Sequence, residues 1–244
     1  IIDSFSGEVD VTTFSNPTDI AISEEGNFFI VDNGNARILK LDKDLNYLMQ
    51  FDKPVDNNID PKAVFQPTKI VIDPAERVYC IATGINQGLV KYESDGTFSG
   101  FVGATPVTYN WMDYIWKKLA TQEQRALMES FVPTEYSNIY VDQEGFIYAV
   151  SAVTIDEGAT DPTGDAVRKL NLMGNDILVR NGEWDVIDDV YYGEGGGYSG
   201  PSLFTDVTVM DNDIYVCLDR NRGRLFGYDD QGKMVFAFGG NGNM

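Results

Sequence analysis

The stretch Pro17–Asp42, PTDIAISEEGNFFIVDNGNARILKLD, decides the architecture of this chain. A proline opens a short β-branched run, and Glu24-Glu25-Gly26 turns the chain back into a second apolar run. The second run ends in Asp32-Asn33-Gly34-Asn35, and a third run starts at Arg37. Short apolar runs separated by Gly- and Asn-rich turns predict antiparallel strands joined by hairpins. A fourth run near 46–51 completes a four-stranded unit.

Similar units recur three more times along the 244 residues. We predict one domain or domain segment over 1–244, with blades at about 17–51, 67–103, 133–180 and 201–239. Four-stranded antiparallel units repeated at this spacing are typical of a β-propeller. The predicted fold class is therefore all-β.

Residues 104–132 interrupt the β pattern. Trp111, Ile115 and Leu119 fall at helical spacing, together with Met112 and Trp116. Thr121 with Gln124 forms a capping-box pattern for a second helix. We therefore expect a helical-hairpin insertion at about 108–131, packed on the β scaffold.

The repeated units resemble NHL repeats. The residues that carry the resemblance are Pro17, Ile20, Gly26, Asp32, Asn35, Arg37 and Ile38 in the first unit, and Asp219, Arg224, Leu225 and Gly232 in the fourth. NHL propellers usually close with six blades, so four units imply part of a longer propeller, and a closed four-bladed ring is the alternative. The resemblance also implies a face that binds proteins or, in some relatives, RNA. Bacterial propellers of this kind are often extracytoplasmic, which the composition allows without deciding the compartment.

The chain is strongly acidic, with 38 Asp and Glu against 18 Lys and Arg and a formal net charge of −20. Such a surface repels phosphate backbones and anionic lipid headgroups. No apolar run approaches the ~20 residues of a membrane span. We therefore expect no nucleic-acid partner and no membrane insertion by these residues, whereas cationic partners remain open.

The absence of histidine from the sequence excludes Ser-His-Asp and Cys-His nucleophiles and HExxH zinc sites within these residues. Cys80 and Cys217 each lie in an apolar run and are predicted to be buried thiols. Asp42–Asn46 begins like a calcium loop but has Tyr47 where that loop needs Gly, so it predicts a polar hairpin turn. We expect a non-catalytic protein without a cofactor.

The long segments fall between blades, at 53–66, 104–132 and 181–200, and between strands two and three of the third blade, at 154–165. Antiparallel geometry places both types of connection at one mouth of a propeller, and loops on a rigid scaffold often carry binding function. Aromatic side chains concentrate in them, and six are predicted to bind a partner: Trp111, Tyr114, Trp116, Trp184, Tyr191 and Tyr192. With the nearby carboxylates they suit a protein, peptide or carbohydrate. The alternative is that they only pin the insertions to the scaffold.

One enzymatic alternative is a resemblance to gluconolactonase-type propellers, which hold Ca²⁺ or another divalent cation in the central channel. The ligands here would be Asp19, Glu135, Asn138 and Asp206. Such an ion would activate water in a metal-dependent lactonase or hydrolase. Lys69 falls on the same ring of residues around the channel, and its positive charge would repel a cation.

Two aspartate–arginine pairs are predicted to brace turns against the next strand: Asp32 with Arg37, and Asp219 with Arg224.

Overall fold

The computed structural model describes residues 13–57, 59, 61–85, 87–103, 136–151, 166–181 and 203–240. Within these ranges the chain forms strands, with a single short 3₁₀ turn at Asn33–Asn35. The all-β class predicted from the sequence is confirmed. The helical hairpin predicted at about 108–131 lies outside the described residues.

The strands form four separate antiparallel sheets, one for each predicted blade. Their bounds are as follows: blade I, β1 Pro17–Ile22, β2 Phe28–Asp32, β3 Arg37–Leu41 and β4 Tyr47–Phe51; blade II, β5 Gln66–Ile72, β6 Val78–Thr83, β7 Leu89–Tyr92 and β8 Phe98–Val102; blade III, β9 Tyr136–Val141, β10 Ile147–Ser151 and β11 Val167–Leu170; blade IV, β12 Phe204–Val209, β13 Tyr215–Asp219, β14 Arg224–Tyr228 and β15 Met234–Gly239. Strands adjacent in sequence are adjacent in the sheet. The first strand of each blade lies beside the first strand of the next, so β1, β5, β9 and β12 are the inner strands.

The fourth-strand position of blade III is occupied by residues 176–180 without a regular ladder. Asp176 bridges to Leu170, and Ile177 N–H donates to the Lys169 carbonyl at 2.8 Å. The Asp176 side chain then accepts backbone N–H groups from Lys169 and Leu178. Its carboxylate thus competes with the ladder, which is why aspartate is disfavoured in strands.

The short turns of the blades share one pattern of side-chain to backbone hydrogen bonds. In blade III, Asp142 Oδ1 accepts the backbone N–H groups of Glu144 and Phe146, at 3.0 and 2.8 Å. Asp42 does the same for Asp44 and Asn46. The segment that begins like a calcium loop is therefore a hydrogen-bonded hairpin turn, as predicted. Asparagine and aspartate are favoured at such positions because their side chains mimic a backbone acceptor.

The hydrophobic core lies between the blades rather than within one of them. We call the side of a blade that packs on the next blade its forward face, and the opposite side its rear face. The forward face of blade I presents Phe29, Val31, Ile38 and Phe51 to the rear face of blade II, and equivalent clusters join blades II to III and III to IV. The cysteines occupy corresponding rear-face positions in two different clusters, Cys80 in the first and Cys217 in the last. Both thiols are free and buried, and burial raises the pKa of each.

The turn between strands three and four of a blade packs on the outer strand of the preceding blade. A Cβ on Gly232 of blade IV would lie 2.5 Å from the Val179 carbonyl oxygen of blade III. A Cβ on Gly174 of blade III would lie 2.9 Å from the Gly103 nitrogen of blade II. Both glycines also have positive φ, at 71° and 81°. Close approach and left-handed backbone together require glycine at these turns.

Candidate functional site

Four polar side chains occupy one repeat position on the inner strands. They are Asp19, Lys69, Asn138 and Asp206, and each comes directly after a register shift in its inner strand. A β-bulge re-aims the side chains beside it and is frequent next to functional sites. We call these four residues the inner-strand set.

The residue before each member of the inner-strand set carries a hydroxyl group: Thr18, Thr68, Ser137 or Thr205. Thr68 Oγ1 donates to the Ile81 carbonyl at 3.2 Å, and Ser137 Oγ donates to the Val150 carbonyl at 3.1 Å. These hydroxyls bond the neighbouring strand at the shift. None of the predicted site residues is one of these hydroxyl residues, although the sequence places one at the same position in every unit.

The inner-strand set supplies acceptors for the backbone N–H that follows the bulge in blades II, III and IV. Asn138 Oδ1 accepts from Ile139, and Asp206 Oδ1 accepts from Val207, at 2.9 and 2.8 Å. Lysine has no acceptor, so in blade II Asp19 reaches across from blade I and accepts the Ile70 N–H at 3.0 Å. Asp19 and Asp206 therefore already have a structural role.

The same contacts test whether the inner-strand set fits a divalent cation. Asn138 Nδ2 donates to Asp206 Oδ1 at 2.7 Å, so this amide presents a hydrogen-bond donor to the carboxylate rather than its oxygen to an ion. Among the described residues, His, Cys, Asp and Glu nowhere come together in a group of three that could hold a metal. Lys69 adds a positive charge to the set. The described residues do not fit a carboxylate-rich cation site; Glu135 lies outside them.

The long connections leave from one end of the blades. β4 ends at Phe51 before β5, β8 ends at Val102 before β9, and β10 ends at Ser151 before β11. Asn33, between strands two and three of blade I, donates through Nδ2 to the Pro67 carbonyl at the start of β5, at 2.9 Å. The turns at the opposite end, from 23–27 to 229–233, are each five residues long. We call the first end the elaborated face.

The six predicted partner-binding aromatics are all on these connections, outside the described residues. They are Trp111, Tyr114, Trp116, Trp184, Tyr191 and Tyr192.

Buried ion pairs brace the start of the elaborated face. Asp32 is fully buried, and its Oδ2 accepts from Arg37 Nε and from Asn35 Nδ2, both at 2.8 Å. Its Oδ1 accepts the Ser15 N–H at 2.7 Å. This pair is the predicted brace.

The corresponding aspartate of blade IV, Asp219, is also fully buried. Its Oδ2 accepts from Arg222 Nη1 at 3.2 Å. Asp219 Oδ1 accepts the N–H groups of Asn221 and Arg222. Residues of the connection itself therefore contribute to bracing the turn after Asp219.

A polar cluster joins blades I and II at the opposite end. Glu76 accepts from Lys40 Nζ at 2.5 Å and from Asn27 Nδ2 at 2.9 Å. Burial alone would raise the pKa of Glu76, but hydrogen bonds from Lys40, Ser23 and Asn27 outweigh it and lower that pKa. This cluster stabilises the contact between the two blades and does not belong to the elaborated face.

Residues 14–41 match the family model of the NHL repeat. This repeat covers β1 to β3 and includes the Asp32–Arg37 brace. The NHL-type β-propeller predicted from the sequence is therefore confirmed in its fold. No curated protein matches the chain.

Similar solved structures are propeller-type proteins. A streptogramin B lyase is 14% identical with a TM-score of 0.55, covering 92% of this chain and 55% of its own. A catalytically inactive histidine-to-alanine variant of virginiamycin B lyase from Staphylococcus aureus with quinupristin is 10% identical, with a TM-score of 0.56 and coverages of 95% and 60%. A protein from Bacteroides caccae is 13% identical, with a TM-score of 0.51 and coverages of 91% and 66%. This chain thus spans less than two thirds of each.

Within the described residues, no helix is long and apolar enough to cross a bilayer.

Proposed function

We propose that this NHL-type propeller is a non-catalytic binding module that engages a protein, peptide or carbohydrate through its elaborated face. The observation that carries the proposal is the placement of the long connections at one end of the blades, opposite uniform five-residue turns. Buried ion pairs such as Asp32–Arg37 brace the ends of the strands that carry these connections. Loops on a rigid scaffold bind with little ordering cost in the scaffold itself.

Charge favours a cationic ligand among these classes. The chain carries a formal net charge of −20, and the connections hold both aromatics and carboxylates. Aromatic rings with nearby carboxylates bind cations by cation–π contact and by ion pairing. A basic peptide is therefore the first probe, followed by neutral oligosaccharides.

The similar structures do not support a lyase activity for this chain. Identities of 10–14% show a shared fold alone. The inactive virginiamycin B lyase differs by one histidine, and the present 244 residues contain none. Side-chain oxygens of the inner-strand set already accept backbone N–H groups. These contacts likewise favour a structural role for the set.

The three tryptophans make a direct test possible, because Trp111, Trp116 and Trp184 are the only ones in the sequence and all lie on the long connections. We expect an oligolysine peptide or one of a panel of oligosaccharides to change tryptophan emission with saturating dose dependence. Replacing the three tryptophans by alanine should abolish binding measured by calorimetry. Lys43→Ala, in a five-residue turn at the opposite end, serves as the control.

Two outcomes would contradict the proposal. One is a ligand that binds with full affinity after all three tryptophans are replaced. The other is loss of binding in Lys43→Ala while the triple variant still binds.

A further inference from the structure

Lys69 differs from the other members of the inner-strand set, because no described residue makes a hydrogen bond or ion pair with its side chain. Asp19, Asn138 and Asp206 each accept a backbone N–H of an inner strand. A lysine side chain has no acceptor, so Lys69 cannot take that structural role. The contacts of the other three residues therefore do not account for a lysine at this repeat position.

The other lysines in the described strands each have a partner for their ammonium group. Lys40 and Lys91 form ion pairs with glutamates, and the Lys169 Nζ lies 4.6 Å from the centroid of the Phe146 ring. Lys69 is half-buried. A half-buried ammonium group is ordinarily paired, because burial removes part of its hydration. An anionic ligand would supply that pairing.

The neighbours of Lys69 at the same repeat position are Asp19 in blade I and Asn138 in blade III. Asp19 Oδ2 lies 3.0 Å from the backbone nitrogen of Ile70, the residue after Lys69. Equivalent positions in adjacent blades come within hydrogen-bond reach, as the 2.7 Å contact between Asn138 Nδ2 and Asp206 Oδ1 shows. Lys69 therefore lies between a carboxylate and an amide.

These side chains leave both donors and acceptors for a ligand. The ammonium group of Lys69 has three N–H donors, and Asn138 Nδ2 uses one of its two hydrogens on Asp206. Among the described residues, no donor bonds to Asp19 Oδ1 or Asp206 Oδ2. A carboxylate would fit the donors, and a hydroxyl or ammonium group on the same molecule would fit the acceptors.

Simple ions fit this arrangement poorly. Lys69 would repel a divalent cation, whereas the carboxylates of Asp19 and Asp206 would repel phosphate, which offers acceptors on every side. A small molecule with a carboxylate next to a hydrogen-bond donor satisfies both charges.

We propose that Lys69, Asp19 and Asn138 form a site for a small carboxylic acid whose α-carbon carries a hydroxyl or ammonium group. The Lys69 ammonium and the Asn138 amide bind the carboxylate, and the Asp19 carboxylate accepts from the α-substituent. The three residues lie near the start of their inner strands, so the acid would reach them from the elaborated face. This site is separate from the six predicted partner-binding aromatics and does not rest on the proposed function.

Four molecules of similar size test the two halves of the site. L-alanine and L-lactate carry a carboxylate with an α-substituent, propionate carries only the carboxylate, and ethylamine carries only the ammonium group. Calorimetric titration of the intact protein should show binding of at least one of the first two. Propionate should bind at least about tenfold more weakly, and ethylamine should not bind. EDTA in every titration removes divalent cations, so that no metal mediates the binding.

Substitutions of Lys69 test the lysine directly. We expect Lys69→Met to weaken binding of the acid at least about tenfold, because it removes hydrogen bonds from a charged donor. Lys69→Arg keeps the charge and should bind within a few-fold of the unmodified protein. Lys43→Met, at an exposed turn of the opposite end, is the control and should leave binding unchanged.

The Tm of each variant separates loss of binding from loss of folding. Lys69→Met removes no ion pair with a described residue, so its Tm without ligand should equal or exceed that of the unmodified protein. No binding of any of the four molecules, or equal binding by Lys69→Met and the unmodified protein, would overturn the proposal. The triple tryptophan variant should still bind the acid. Loss of binding there, with Lys69→Met unaffected, would assign the acid to the aromatic residues instead.

Discussion

At the scale of single residues, the inner-strand carboxylates act first as backbone acceptors. Asp19 Oδ2 accepts the Ile70 N–H in blade II, where Lys69 offers no acceptor. We expect Asp19→Ala to lower the free energy of unfolding by about 1–2 kcal/mol, because it leaves that N–H unsatisfied. Asp19→Asn should restore most of the loss, since its amide oxygen also accepts. Denaturant unfolding of the three proteins measures this.

The pair of substitutions separates two roles of Asp19. A metal ligand requires the carboxylate charge, whereas a backbone acceptor requires only an oxygen. Asparagine that fails to rescue, together with a cation-dependent stability of the unmodified protein, would contradict the structural role.

Glu76 should make stability depend on pH. Its pKa in the folded protein is lowered from the ordinary value of 4.5. The carboxylate therefore stabilises the fold above about pH 4.5, and this contribution disappears as pH falls through the lowered pKa. We expect Glu76→Gln to cost about 2 kcal/mol at pH 7, because it leaves the Lys40 ammonium without its partner.

As pH falls from 7 to 3 the difference in stability between Glu76→Gln and the unmodified protein should shrink, because the unfolded chain takes up a proton at Glu76 below about pH 4.5 and the folded chain does so only at its lowered pKa. Glu25→Gln, at an exposed turn, should change stability by less than about 0.5 kcal/mol at either pH. A constant penalty from pH 3 to pH 7 would show that Glu76 acts by packing and not by charge.

At the scale of elements, the glycine turns connect one blade to the preceding one. Gly232→Ala places a Cβ 2.5 Å from the Val179 carbonyl oxygen, at a φ of 71°. Gly145 has a φ of 86° but nothing within 4 Å of such a Cβ. We expect Gly145→Ala to cost about 1 kcal/mol from backbone strain alone, and Gly232→Ala to cost about 3 kcal/mol from strain and overpacking. Chemical denaturation of both variants checks the difference.

Equal costs for the two glycine variants would mean that the turn of blade IV shifts away from residues 178–181 without loss. The blade III–IV contact would then depend on its apolar cluster alone.

At the scale of the whole molecule, the binding and lactonase hypotheses differ in their response to cations. A ligand at 100 times its dissociation constant adds about 2.7 kcal/mol of stability, which shifts Tm visibly. We expect the Tm of the intact protein in excess EDTA to match its Tm with added calcium, magnesium or manganese. A shift with one cation alone would favour the channel-metal hypothesis and contradict the non-catalytic proposal.

The amino-acid sequence by itself determined the blade pattern of this protein. Alternating apolar runs such as 28–32 and 37–41, with Asp and Gly turns between them, set strand length and pairing locally. The burial of Cys80 and Cys217 and the hairpin at Asp42 also followed from their neighbours in sequence. Such features depend on side-chain periodicity and turn chemistry, which act over a few residues.

The tertiary structure decided what depends on contacts between distant units. Asp19 bonds to Ile70 of the next blade, and Asn138 bonds to Asp206, 68 residues away. No local pattern predicts that Asp219 pairs with Arg222, or that Phe238 lies exposed where Phe51 is buried. Hydrogen-bond partners and core membership depend on which blade lies alongside, and packing of the blades in three dimensions settles that.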